Sequence, residues 1–490
     1  MIRPILPLAS LMALAACSMA PEYERPAAPV PSSWPVGDAY LRQNEAGLPS
    51  VSYRDIFRDP RLQALVEQAL ANNRDLRVAA ANIAAARGAY RSQRSTLFPT
   101  VGTGASAGAS KGGTNAQNAG SSNDVRESYS ANVGITAFEV DLFGRVRSQS
   151  RAALEDYFAT EAAARATRLT LVGDIANAWL TYAADKSLLA LAEDTAKNAQ
   201  ESVRLTRLRL EGGIAPRTDL RQAEQTEAQA RSDMAAQRTA LAQDVNLLQL
   251  LVGAPIDPAQ LPASIDEAAP TLAELPAGLD SGVLLRRPDV VQAEYQLRSA
   301  NARIGAARAA LFPRISLTGL LGFASTALGS LFDGDRFTWN ASGGIDYNIF
   351  DAGGARGDLL QARAQRDAAV ATYEKAIQTA FREVSDALAR RGTIADQETA
   401  QRSLVTAAQD NYDLSYARYR GGIDTFLQSL DAQRSLYSAQ RSYVGTRLDR
   451  ATNLVDLYRT LGGDALLDAT PEGPKPLSPE PAATPTPRTR

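Results

Sequence analysis

The chain carries the same passage twice, and this repeat constrains its fold more than any other feature. Asp75-Leu76-Arg77-Val78-Ala79 through Phe98-Pro99 returns as Asp289-Val290-Val291-Gln292-Ala293 through Phe312-Pro313, 214 positions on. Glu211-Gly212-Gly213-Ile214 returns as Arg420-Gly421-Gly422-Ile423, 209 positions on. Asn246-Leu247-Leu248 and Asn453-Leu454-Val455 close the copies alike. The nearly equal offsets make the copies collinear, with small changes in loops. Repeat 1 covers residues 62–253 and repeat 2 residues 279–462, joined by a Pro-rich linker over 254–278.

Each copy follows one grammar. An Ala-rich helix, over 62–96 or 288–310, is stopped by Phe-Pro. Two strand-like stretches follow, near 100–110 and 128–140 in the first copy and near 314–325 and 337–350 in the second. In the last of these Thr338, Asn340, Ser342, Gly344, Asp346 and Asn348 alternate with Trp339, Ala341, Gly343, Ile345, Tyr347 and Ile349. Period two with one polar and one apolar face predicts a strand. Runs of about ten residues suit a tilted strand crossing a bilayer, with lipid on one face and water on the other. Trp339 and Tyr347 then fall toward opposite edges of the apolar band. Four strands cannot enclose a water-filled lumen, so several chains must contribute.

Residues 147–211 and 355–420 contain no proline and predict helices of about 65 residues, roughly 100 Å each. Leu188, Ala192, Ala196, Ala199 and Val203 recur at helical spacing. Each tract reverses at a Gly-Gly pair, which can supply a left-handed cap, and returns as a second helix. Two long hairpins result. Because both free ends keep the same residues, Gly212, Gly213 and Ile214 and also Gly421, Gly422 and Ile423 are read as contacts for a partner.

The N-terminus reads as an export signal. A positive start is followed by an apolar run over 5–16, too short to span a bilayer, ending in Leu14-Ala15-Ala16-Cys17. Small residues before the chain's single cysteine predict a signal peptide over 1–16 and lipid attachment at Cys17. Ser18, rather than aspartate, favours the outer membrane. Residues 17–61 read as an extended tether and residues 463–490 as a disordered tail.

The chain has no histidine, which removes the commonest general base and metal ligand together. A net charge of -2 offers no basic surface for nucleic acid. No convergent catalytic set emerges, so an enzyme is not expected. Gly102-Thr103-Gly104-Ala105-Ser106-Ala107 imitates a dinucleotide fingerprint, but Pro99 precedes it and no helix follows; it reads as a strand of small residues. Arg356-Gly357-Asp358, an adhesion-like tripeptide, reads as a chance match at a helix start. A periplasmic adaptor lipoprotein is the main rival class, but adaptors carry one hairpin flanked by lipoyl-like modules and no tandem repeat with four amphipathic strands.

The chain resembles the TolC-type outer-membrane factors, in their NodT-like efflux lipoprotein subgroup. Leu285-Arg286-Arg287-Pro288-Asp289-Val290, Ala293-Glu294, Leu311-Phe312-Pro313, Arg418-Tyr419-Arg420-Gly421-Gly422-Ile423 and Leu430-Asp431-Ala432-Gln433 carry the resemblance, together with Cys17 through Pro21, Tyr23, Pro26 and Trp34. It implies a mixed α and β fold: a homotrimer forming a 12-stranded transmembrane β-barrel continued by a long α-helical barrel in the periplasm. It implies a passive exit duct for drugs or other small molecules, lipid-anchored in the outer membrane. Its expected partners are a periplasmic membrane-fusion adaptor and an inner-membrane efflux pump, expected to be proton-driven. No cofactor, metal or catalytic residue is implied. Leu427 and Asp431 are implied to pinch the periplasmic end, with Tyr419, Thr218 and Asp219 linking neighbouring helices. Gln428 stands where related ducts can carry a second acidic ring, and Asp424 where some carry a basic residue.

Overall fold

A single asparagine divides the first helix of the chain. The stretch expected as one helix is two, α1 (Pro60–Asn72) and α2 (Arg74–Ser95). Asp59 caps α1 by accepting from the Arg61 amide, and Pro60 occupies the first turn, where no amide partner is needed. At Asn73 the backbone turns extended. Its side-chain oxygen accepts from the Leu76 amide at 3.0 Å and its side-chain nitrogen donates to the Leu251 carbonyl at 2.8 Å. One polar side chain therefore ends α1, starts α2 and ties both to the end of the first hairpin.

The computed structural model describes residues 19–35, 37, 40, 52–111, 125–271, 281–470 and 472–476. Cys17, the signal peptide and residues 477–490 of the tail lie outside them. The long proline-free tracts are unbroken helices of 67 residues each, α3 (Arg145–Glu211) and α6 (Gly354–Arg420). They are followed by α4 (Arg217–Val252) and α7 (Phe426–Thr460), while α5 (Pro288–Ala309) opens repeat 2. No helix among the described residues is long and apolar enough to cross a membrane. The chain forms two compact units: residues 1–25, 83–160 and 293–373, and residues 26–82, 161–292 and 374–490.

The second unit is held by an apolar core around the wholly buried Trp179, with Ile175, Leu180, Leu62, Leu65, Leu248 and Tyr458. That core reaches beyond the repeats. Tyr53, Ile56 and Phe57, in the stretch expected as a tether, are buried in it, as are Ile265 and Ala268 of the expected linker. Trp179 Nε1 donates to the Gln260 carbonyl at 3.1 Å, and the Ile265 amide donates to Ser187 Oγ at 2.9 Å. The described part of the linker is thus folded onto the core, because its few apolar residues bury more favourably than they hydrate. Beyond repeat 2, the Leu467 amide donates to the Arg286 carbonyl, and Gly473 and Pro474 are buried in a short ladder with Ala469 and Thr470.

The first unit holds a four-stranded antiparallel sheet in the order β1 (Val101–Lys111), β2 (Val125–Glu139), β3 (Arg314–Ser325) and β4 (Phe337–Asp346). The last strand ends at Asp346, so Tyr347, Asn348 and Ile349, expected within it, lie beyond its end. Its register puts like with like. Val101 faces Ile135, Val133 faces Leu321, Leu321 faces Trp339 and Ile315 faces Ile345, giving one continuous apolar face. Asn132, Ser130, Thr318, Asn340 and Ser342 share the other, where Ser106 and Ser130 hydrogen-bond at 2.8 Å. A bulge between Ile135 and Phe138 leaves Ala137 at φ 51, its amide donating to Thr318 Oγ1 at 3.1 Å.

Two glycines are needed where β2 and β3 close. A Cβ on Gly134 would lie 2.1 Å from the Gly319 carbonyl oxygen, and one on Gly322 would lie 2.2 Å from the Ala131 carbonyl oxygen. A Cβ on Gly319 meets nothing within 4 Å. We expect Gly134→Val to abolish the folded membrane form and Gly319→Ala to preserve it, as read by the heat-modifiable band on unheated gels. Equal behaviour of the two variants would show that the close approach is dispensable.

Candidate gate and docking tips

All of the residues expected at the gate and tips lie in the second unit, at the reversal of the two hairpins. The two tips are built alike. The Gly213 amide donates to the Leu210 carbonyl and the Ile214 amide to the Arg209 carbonyl; Gly422 does the same to Tyr419, and Ile423 to Arg418. This is the Schellman pattern, with the left-handed residue at φ 70 in Gly213 and φ 74 in Gly422. Only the second glycine of each pair needs positive φ; Gly212 and Gly421 do not adopt it. The two tip isoleucines stand exposed, at 72% for Ile214 and 68% for Ile423.

Behind the tips a small apolar cluster of Val203, Leu220, Ala223, Tyr419, Phe426 and Leu430 binds the first hairpin to the second. Tyr419 is its pivot. Its ring packs on Phe426 at 5.3 Å, and the Arg209 guanidinium lies over it at 4.6 Å while donating to its backbone carbonyl at 3.1 Å. Within one chain Tyr419 therefore makes its contacts through its ring and carbonyl. Its hydroxyl is buried and has no hydrogen-bond partner among the described residues. Asp219 is half-buried in this neighbourhood; burial raises its pKa and the Arg209 charge opposes the rise. Thr218, one residue earlier, is exposed.

Leu427 and Asp431 stand one helical turn apart on α7, turned about 100° around the helix from the buried Phe426 and Leu430, and both are exposed. The nearest cation to Asp431 is Arg434 on the same helix, at 4.0 Å, an exposed pair of little energetic weight. Asp424 is paired instead. Arg418 Nε and Nη2 donate to its two carboxylate oxygens at 2.5 and 3.1 Å, which holds its pKa below the usual carboxylate range. The departure at position 424 therefore closes an ion pair within the second tip, and Asp431 is left with its charge facing outward.

The first hairpin also holds an acid pair that periodicity does not announce. Asp185 on α3 and Asp244 on α4 lie close enough to couple, and burial followed by the Asp185 charge pushes Asp244 up to about 6. Helical spacing places both residues on helices but says nothing about which acids meet across a hairpin. The folded pair binds a proton more tightly than the unfolded chain, so that contribution is full below about pH 4 and lost as pH rises through about 6. Because the pair is partly open to solvent, about 1 kcal/mol is a realistic size. Asp244→Asn should therefore raise the thermal midpoint at pH 8 and leave it nearly unchanged at pH 4.5, followed by circular dichroism. The same shift at both pH values would mean that no proton is shared.

The family model of the outer membrane efflux protein matches residues 65–254 and 280–463. The antibiotic efflux pump outer membrane protein ArpC of Pseudomonas putida is 47% identical over 92% of this chain and 93% of its own. The toluene efflux pump outer membrane protein TtgC of Pseudomonas putida is also 47% identical, with the same coverage. Among solved structures, the open state of the Neisseria gonorrhoeae MtrE outer membrane channel superposes with a TM-score of 0.80 at 34% identity, covering 92% of this chain and 99% of that one.

Proposed function

We propose, for a chain that belongs to the outer membrane efflux protein family, that three copies form the exit duct of a tripartite pump and that their periplasmic end is closed by Leu427 and Asp431. The chain is the outer-membrane component of an efflux system. The observation that carries the finer reading is the sheet. Its faces are both uncovered, one apolar and one polar, and the outer edges of β1 and β4 have no partner among the described strands. An exposed apolar face with open edges is an aggregation hazard in water, and lipid outside with further copies at the edges removes both problems.

The strand order supports closure. The four strands alternate in direction, so β4 of one copy can pair antiparallel with β1 of the next, as their neighbours do within the chain. Three copies then contribute 12 strands. The tips Gly212-Gly213-Ile214 and Gly421-Gly422-Ile423 present the exposed isoleucines to a periplasmic adaptor, which passes substrate from an inner-membrane pump. Apolar solvents and antibiotics, named for the relatives, are the substrates to try first. The N-terminus is anchored through lipid on Cys17.

Extracted in mild detergent without heating, the protein should migrate as a trimer and conduct ions in planar bilayers. A monomer, or a trimer that does not conduct, would overturn the reading.

A further inference from the structure

A short segment near the N-terminus is seated in a track on the second repeat. Residues 19–25 run antiparallel to α5 and touch it at Glu294, Arg298, Asn301, Gly305 and Arg308. Glu294 is wholly buried. Tyr23 donates to its Oε1 at 3.0 Å, and Arg25 donates from Nε at 3.1 Å and from Nη2 at 2.5 Å to its Oε2. The Arg298 guanidinium lies over the Tyr23 ring at 4.6 Å. Burial and the Glu294 charge raise the pKa of Tyr23, so its hydroxyl stays a donor. Further along, Asn301 Nδ2 donates to the Pro21 carbonyl at 2.8 Å and Arg308 Nη1 to the Met19 carbonyl at 3.1 Å. Gly305 leaves room for the strap and for α3: a Cβ there would sit 2.7 Å from both the Ala20 nitrogen and Ser148 Oγ.

The track belongs to repeat 2 alone. Glu294, Arg298, Asn301 and Gly305 form one helical stripe, and at the 214-residue offset their counterparts in repeat 1 are Ala80, Ala84, Arg87 and Arg91. Repeat 1 offers neither the buried acceptor nor the gap, and Ala80 and Ala84 are exposed. The strap therefore tells apart two helices that the duplication made alike. Its polarity carries the consequence. Met19 lies against Arg308 at the end of α5, and β3 begins at Arg314.

We propose that residues 19–25 and the Glu294 stripe form a latch that holds this N-terminal strap at the foot of β3, and that seating the strap is required for the strands to insert. Remove Arg25 and Glu294 becomes a buried carboxylate without its cation, so an unseated strap also loosens the helix that feeds β3. The proposal rests on the outer-membrane duct read above but not on lipidation itself.

The test compares full-length protein with Glu294→Ala, Arg25→Ala, the exchanged pair Arg25→Glu with Glu294→Arg, and Gly305→Arg. The last variant places the repeat 1 residue on the track without touching the ion pair. We expect limited proteolysis to cut the strap at least roughly ten-fold faster in the single variants, with a similar loss of heat-resistant oligomer from the outer membrane and partial recovery in the exchanged pair. Circular dichroism checks that helix content is kept. Faster cleavage with parental amounts of inserted oligomer, or a strap still protected in Gly305→Arg, overturns the latch. Mass spectrometry of the N-terminal peptide in the same samples reads lipid at Cys17 separately. An unmodified Cys17 in the parent sinks the lipidation reading, and the insertion results still decide the latch.

Discussion

Replacing Leu427 and Asp431 together with alanine should raise single-channel conductance several-fold in planar bilayers and weaken cation preference. Both side chains are exposed on α7, one turn apart, on a stripe beside the residues that hold α7 to the first hairpin. Their removal therefore takes little from packing: neither belongs to the cluster of Tyr419, Phe426 and Leu430. Asp431 has only a distant, exposed Arg434 beside it, so three copies around an axis would present a ring of incompletely balanced negative charge to the lumen. Such a ring attracts cations and repels anions, while Leu427 adds an apolar constriction next to it. The trimer should survive heating as the parent does. Parental conductance and selectivity in the double variant would move the gate to the links of Tyr419, Thr218 and Asp219. Asp424→Ala is the informative contrast, because that carboxylate is already neutralised by Arg418 and should affect selectivity less.

A second large effect is expected at the tips. Gly212→Leu combined with Gly421→Leu should reduce drug resistance to the level of cells lacking the protein, with trimer and outer-membrane amounts unchanged. The choice of glycine matters. Gly213 and Gly422 hold the left-handed caps, and a larger residue there adds strain of about 1 kcal/mol that confuses folding with contact. Gly212 and Gly421 lie outside that region, and a Cβ on either meets its nearest atom at 3.4 or 3.5 Å, an ordinary contact. A leucine at these sites changes the surface beside Ile214 and Ile423 and leaves the turn intact. Resistance that persists at normal expression would make both tips plain turns.

The parts of the chain written as periodic patterns were readable in advance. The 67-residue helices lack proline throughout, and the strands announce themselves by alternating polar and apolar side chains whose register then gathers each kind on one face. The tips were readable because Gly-Gly ends both outward helices. The break at Asn73 was not, since besides its local bond to the Leu76 amide the side chain is held by Leu251, 178 residues away. The left-handed cap was placed only to within one residue, because both glycines of a pair are able to adopt it. Ile265 in the linker looks like an isolated apolar residue, and Tyr53, Ile56 and Phe57 before α1 are too few to show a period; only the packing of distant helices turns them into core.

The sequence by itself determined the duplication, the two long hairpins, the amphipathic strands and the absence of histidine chemistry, because these are properties of neighbouring residues along one chain. Tertiary structure alone decided that the strap seats on repeat 2 rather than repeat 1, that Asp185 meets Asp244, and that Asp424 is paired while Asp431 faces outward. The strap and the acid pair depend on which side chains meet across elements far apart in sequence, and the Arg418–Asp424 pair on how the tip turns back on itself. Spacing along the chain carries the period of a helix or strand, but a pairing between elements is set by how they pack.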